Sequence, residues 1–83
     1  SLDAAERVID TIRIANEAEV ACVFKEDDNG IWKVSLRSKG AVDVGAVAAV
    51  LGGGGHKFAA GATLGEDVAL ALQDVRRALD AVH

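Results

Sequence analysis

The sequence predicts a small single-domain α/β protein, a mixed β-sheet (a hairpin plus at least one further strand) packed with about three helices. Three observations carry that expectation. Apolar and polar residues alternate through Val20, Cys22 and Phe24 and again through Trp32, Val34 and Leu36, on either side of Asp27-Asp28-Asn29-Gly30. Such alternation flanking Asn-Gly marks a β-hairpin. Three other segments carry apolar residues at helical spacing. The 83 residues, 51% of them hydrophobic, suffice for one small core.

The elements follow in order. Residues 3–16 are expected to be a helix, with Asp3 and Glu6 spaced as a capping box and Ala5, Val8, Ile12 and Ala15 as its apolar stripe. Residues 19–26 and 31–38 are the two strands of the hairpin. Their apolar face is Val20, Cys22, Phe24, Trp32, Val34 and Leu36, and Lys25, Lys33, Ser35 and Arg37 lie on the other. Residues 44–51 are a short helix with Asp43 as its N-cap and Gly52 just past its end. Residues 57–60 are expected to start a helical turn, and 61–64 to form a third strand. Residues 66–82 close the chain as a helix whose stripe is Val68, Leu72, Val75, Leu79 and Val82. Arg76 and Arg77 belong to its solvated face.

Charge and composition exclude several function classes. The net charge of −4 argues against a surface that coats nucleic acid. Its distribution is uneven: residues 31–61 hold Lys33, Arg37, Lys39 and Lys57 against Asp43 alone, and the stretches on both sides are acidic. A small anion focused at one locus suits this pattern better than a long polyanion. No apolar run approaches a membrane span and no signal peptide opens the chain. The single Cys22 cannot form an internal disulfide, so a reducing, cytoplasmic setting is expected, with Cys22 a buried strand residue rather than a reactive thiol. One Cys and two His offer no zinc or two-metal spacing. The missing initiator Met suggests a piece of a longer protein.

The run Gly52-Gly53-Gly54-Gly55-His56, followed by Lys57-Phe58-Ala59-Ala60-Gly61, is the most distinctive feature. Consecutive glycines are conformationally costly, and a folded domain keeps them for close backbone approach or positive φ. Bare N–H groups in sequence can form a concave anion-binding nest, and a histidine beside it can add a hydrogen bond or a charge. The expected ligand is therefore phosphate or another anion. A flexible tether is the alternative, but tethers are longer and polar. C-capping alone accounts for Gly52. Arg37, at a strand end beside Ser38, is the basic residue most able to reach such a loop. Catalytic machinery is missing: the carboxylates cluster in the N-terminal part, there is no P-loop Lys-Ser/Thr after the glycines, and no GxGxxG precedes a suitable acid. The chain is equipped to hold a substrate and not to transform it.

Val34-Ser35-Leu36-Arg37-Ser38-Lys39, then Asp43-Val44, then the GGGGH-x-x-A-A-G core resemble the C-terminal DHH-associated domain, first type, of the DHH phosphoesterases. The resemblance spans residues 6–82. It looks most like the bacterial group of bifunctional oligoribonucleases and 3′-phosphoadenosine-5′-phosphate phosphatases, the nanoRNases. Related enzymes cleave cyclic dinucleotides or single-stranded DNA. The resemblance implies a division of labour. A catalytic Asp-His-His domain, absent from this chain, holds manganese and hydrolyses, and this domain, not itself catalytic, binds the substrate's nucleotide and phosphate end across a cleft. It further implies that Arg37 and Ser38 contact phosphate or sugar. Gly53, Gly54 and Gly55 would offer N–H groups, and His56 would bond a phosphate near the metal. Lys57 and Lys39 are weaker candidates. A structural role for His56 within its own loop is the alternative there, and Phe58 is read as core in preference to a base-stacking platform. The implied partners are short RNA or nucleotide phosphates and the catalytic domain of the same polypeptide, with no membrane. No cofactor is expected in this domain. The rival function is a non-catalytic RNA-binding module, as in the C-terminal region of alanyl-tRNA synthetase.

Overall fold

The structure, a computed structural model, describes residues 7–15 and 18–82. Along the chain lie strands β1 (Val8–Ala15), β2 (Ala18–Glu26) and β3 (Trp32–Ser38), helix α1 (Val44–Val50), strands β4 (Gly54–Gly55) and β5 (Ala59–Thr63), and helix α2 (Val68–Val82). They form one five-stranded sheet in the order β1-β2-β3-β5-β4. The expected mixed sheet is corrected: every neighbouring pair is antiparallel. The reason is the glycine run. The chain leaves α1, runs through β4 alongside the direction of β3, then turns back, so that β5 enters between them with its direction reversed.

Two further expectations are overturned. Residues 8–15 form a strand, so the described helices number two, not three. Val8, Ile9, Thr11, Ile12 and Ile14 are β-branched, which favours extended backbone, and β1 pairs with β2 along its full length from Val8↔Lys25 to Ala15↔Ala18. The capping box at Asp3 and Glu6 lies outside the described residues. The expected helical turn at residues 57–60 is instead a hairpin tip. The His56 amide donates to the Ala59 carbonyl (2.7 Å) and the Ala59 amide to the His56 carbonyl (3.2 Å).

The β2–β3 hairpin forms as its sequence dictates. The Asp27 carboxylate accepts from the amides of Asn29 (2.8 Å) and Ile31 (3.0 Å), which closes the turn. Val20, Cys22, Phe24, Trp32, Val34 and Leu36 are all buried on one face. Both helices contribute to that core, α1 through Val44, Val47 and Ala48 and α2 through Ala71, Val75, Ala78 and Leu79. The other face of the sheet carries Lys33, Ser35 and Arg37, all exposed. Asp43 caps α1, its Oδ1 accepting from the Ala46 amide at 3.1 Å. The fold is thus a two-layer α/β arrangement with one sheet face bare.

The glycine run serves as a corner with close packing on both sides. The helix ends in a Schellman motif: Gly52, at φ +85°, donates to the Ala49 carbonyl (3.0 Å), and Gly53 to the Ala48 carbonyl (2.8 Å). The strand then presses against β5. A Cβ on Gly53 would overlap the Gly61 carbonyl, and one on Gly55, at φ +147°, would lie 2.5 Å from the Ala60 Cα. On Gly54 it would meet open space.

Gly53→Ala is expected to destabilise the domain by roughly 2 kcal/mol through forced overpacking, about 10 °C in Tm for a chain of this size. Gly54→Ala is expected to stay within about 0.5 kcal/mol of wild type. Thermal melts of the two variants separate a packing role from mere flexibility, under which both would behave alike.

Burial pushes the Cys22 thiol from its ordinary 9.0 up to about 11, partly opposed by the charge of Arg13. Between those values the unfolded chain has released the proton and the folded chain retains it. Stability from this group is therefore complete below about pH 9 and falls as pH rises toward 11, on the order of 2 kcal/mol. Urea melts at pH 8 and pH 10.5 should show the loss, and Cys22→Ala should reduce it by that amount. An unchanged pH slope in the variant would refute the assignment.

Candidate functional site

The strand register gathers part of the sequence-derived site into one row. Arg37 pairs with Ala21 on one side and Ala59 on the other, and Ala59 is in turn hydrogen-bonded both ways to His56. Arg37 and His56 therefore stand two strand spacings apart, about 10 Å between backbones. Both side chains are exposed, as is Lys57 at the hairpin tip. The Arg37 guanidinium donates to its own neighbour, the Leu36 carbonyl, at 2.9 Å. Among the described residues no side chain bonds the His56 imidazole and no carboxylate pairs with Arg37, Lys39 or Lys57. These groups are available to an external anion.

Ser38 has a different place. It is half-buried, its Oγ accepts from the Gly40 amide (3.0 Å), and its own amide donates to the Phe58 carbonyl (3.0 Å). It joins the end of β3 to the hairpin tip. Beside it opens a concavity of about 480 Å³, lined among others by Arg37, Ser38, Lys39, Ile12 and Ala21, large enough for a nucleotide-sized ligand. Glu19 also borders it and would oppose an anion at that end. His56 and the glycines are not part of that concavity.

The glycine amides are mostly engaged by the chain itself. Gly53 bonds to Ala48, as described above. Gly54 pairs with Gly61 next to the bonded His56–Ala59 rung but one, which is the alternate, hydrogen-bonded position of an antiparallel ladder. That alternation turns the Gly55 N–H away from β5, as it turns the Gly55 carbonyl toward Gly45 of α1. The glycines thus act chiefly by letting β4 approach β5 and α1, and the candidate anion contacts come from side chains.

Two residues of consequence were not singled out by sequence reasoning. Gly45, in the first turn of α1, faces the carbonyls of Gly55 and His56, where a Cβ would lie 3.0 Å from each oxygen. Its signal was available: a glycine inside a seven-residue helix weakens the helix unless something packs against it. Gly40 is the other, with a φ of +113° and the Phe58 ring against it. Phe58 is 56% exposed, which corrects its reading as core. No sequence periodicity reports such a contact across a loop.

Among the described residues, no group of three or more His, Cys, Asp or Glu is arranged to hold a metal ion, and no helix is long and apolar enough to cross a membrane.

Comparison with known proteins places this geometry in context. The chain is 42% identical over 69 residues to the bifunctional oligoribonuclease and PAP phosphatase NrnA of Thermus thermophilus. That match covers 82% of this chain and spans only 21% of the relative's length. The family model described as the DHHA1 domain matches residues 1–83. With its Arg-Ser strand end and its glycine-histidine corner brought together by β5, the chain belongs to the DHHA1 domain family.

Proposed function

We propose that this domain binds the phosphate end of a short oligoribonucleotide, a dinucleotide or 3′-phosphoadenosine 5′-phosphate, and presents it to a manganese-dependent DHH domain of the same polypeptide in a cytoplasmic phosphoesterase. The observation that carries the reading is the row Arg37–Ala59–His56. It sets an arginine and a histidine, both without anionic partners among the described residues, on one exposed strip of the sole positively charged stretch. Arginine's planar fork matches phosphate oxygens, and the imidazole adds a donor from the far side. Ser38, Lys57 and Gly55 flank the strip, Gly53 shapes the corner, and Gly54 pairs with Gly61 behind it. The relative's name, an oligoribonuclease and PAP phosphatase, supports this substrate class.

The described residues do not supply a manganese site. The metal would be held by the catalytic domain, and no step of hydrolysis is assigned to this chain. Its role is orientation: holding the phosphate in place removes translational and rotational freedom before the chemical step.

Titration of the ¹⁵N-labelled chain with adenosine 3′,5′-bisphosphate should shift the amides of Arg37, His56 and Gly55 with a Kd in the millimolar range. Arg37→Ala and His56→Ala are each expected to weaken binding by roughly tenfold, the scale of a charge-assisted hydrogen bond. Because both side chains are exposed, Tm should stay within about 2 °C. Resonances that remain still at 10 mM ligand would remove the assignment. Affinity that climbs with RNA length and falls steeply with salt would instead favour the RNA-binding module.

A further inference from the structure

The chain has three aromatic residues, and two of them, Phe24 and Trp32, are buried in the core. Phe58 is 56% exposed at the tip of the β4–β5 hairpin. It occupies the third position of a four-residue turn, where small polar residues and glycine are the usual occupants. Exposed there, it buries little surface and adds little to the core. Its neighbours in sequence, Gly52 to Lys57, are also exposed and offer no apolar patch in which the ring could be one part of a protein-docking surface.

The ring is nevertheless held in place. The Phe58 carbonyl accepts from the Ser38 amide (3.0 Å), and the preceding Lys57 carbonyl accepts from the Val44 amide (3.1 Å). One edge of the ring rests on Gly40, so closely that a Cβ there would lie 2.8 Å from the Phe58 Cε1. Gly40 is itself fixed by the Ser38 hydroxyl, which accepts from its amide. An aromatic surface fixed on its backbone and one edge, and otherwise open to water, loses little conformational freedom when a ligand lands on it.

Cations are its neighbours along the chain: Lys57 precedes it, Lys39 precedes the glycine it rests on, and Arg37 stands in register with Ala59, the residue that follows it. An exposed aromatic ring among cations is the recurring device for gripping nucleotides of any sequence: the ring stacks on the base and the cations meet the phosphates. We infer that Phe58 is the nucleobase platform of this domain, stacking on the base of the nucleotide whose phosphate meets Arg37 and His56. The inference rests on the phosphate-binding reading above and deepens it by adding base recognition. Stacking of this kind selects for the presence of a base, not for its identity.

The test compares two ligands on the 83-residue chain: adenosine 3′,5′-bisphosphate and its abasic counterpart, ribose 3,5-bisphosphate. Wild type should bind the adenosine ligand roughly tenfold more tightly, with the Phe58 ring protons moving upfield and those of buried Phe24 unmoved. Phe58→Ala should erase that preference, leaving the abasic affinity unchanged, and Phe58→Tyr should retain it. Fluorescence of the single, buried Trp32 checks that each variant is folded. If wild type binds both ligands equally, or if Phe58→Ala weakens both by the same factor, the platform is refuted while the phosphate site stands. If neither ligand binds wild type, the phosphate site itself falls and the platform with it.

Discussion

The geometry of the candidate site depends on a backbone-to-backbone contact between the first turn of α1 and the β4–β5 hairpin. Three absent methyl groups permit it. Gly45 lets the helix lie against the carbonyls of Gly55 and His56, and Gly53 and Gly55 let β4 lie against β5. With the strands this near, the Lys57 carbonyl reaches the Val44 amide and the Phe58 carbonyl reaches the Ser38 amide. The tip is thereby tied to both a helix start and a strand end. A side chain at any of these three glycines would push the tip away and break the register that sets His56 near Arg37.

That constraint changes how an anion would be recognised. A glycine run suggests a nest of bare amides, but a run that packs this tightly uses most of its amides internally. The Schellman end of α1 takes those of Gly52 and Gly53, and the ladder with β5 takes that of Gly54. What remains is a set of side chains projecting from a rigid corner. This division is physically sensible for a ligand that must leave again. Side-chain cations in contact with water bind phosphate modestly and exchange it quickly, because screening and hydration weaken each contact.

The sequence was legible where one period dominated. The β2–β3 hairpin, with six alternating apolar residues around Asn-Gly, appears with every apolar member buried. The two helices described, their Asp43 cap and the Gly52 ending also match. Residues 8–15 were ambiguous because their apolar positions satisfy helical spacing, and β-branching with a long pairing partner in β2 decides for the strand. The antiparallel sense of β5 was illegible for another reason. A two-residue strand of glycines has no side-chain pattern, so the extra chain reversal left no trace in hydropathy. Of the candidate site, Arg37, His56 and Lys57 are proposed from charge and motif. Their juxtaposition was not legible, since it arises from a register across three strands.

The same hairpin answers to two opposed demands. Its strand must be bare so that three backbones can meet, while its tip carries larger side chains that project into solvent. The sequence separates these demands by position: glycine through Gly55, then His56, Lys57 and Phe58 in succession, then small residues Ala59, Ala60 and Gly61 on the return. Ala60 and Ala62 are buried beneath Gly55 and Gly53, and larger residues there would restore the overlap that the glycines remove. The small residues of β5 are therefore part of the same device as the glycines of β4. The three bulky residues between them stand in the turn between β4 and β5, where the ladder that forces small residues on both strands no longer runs.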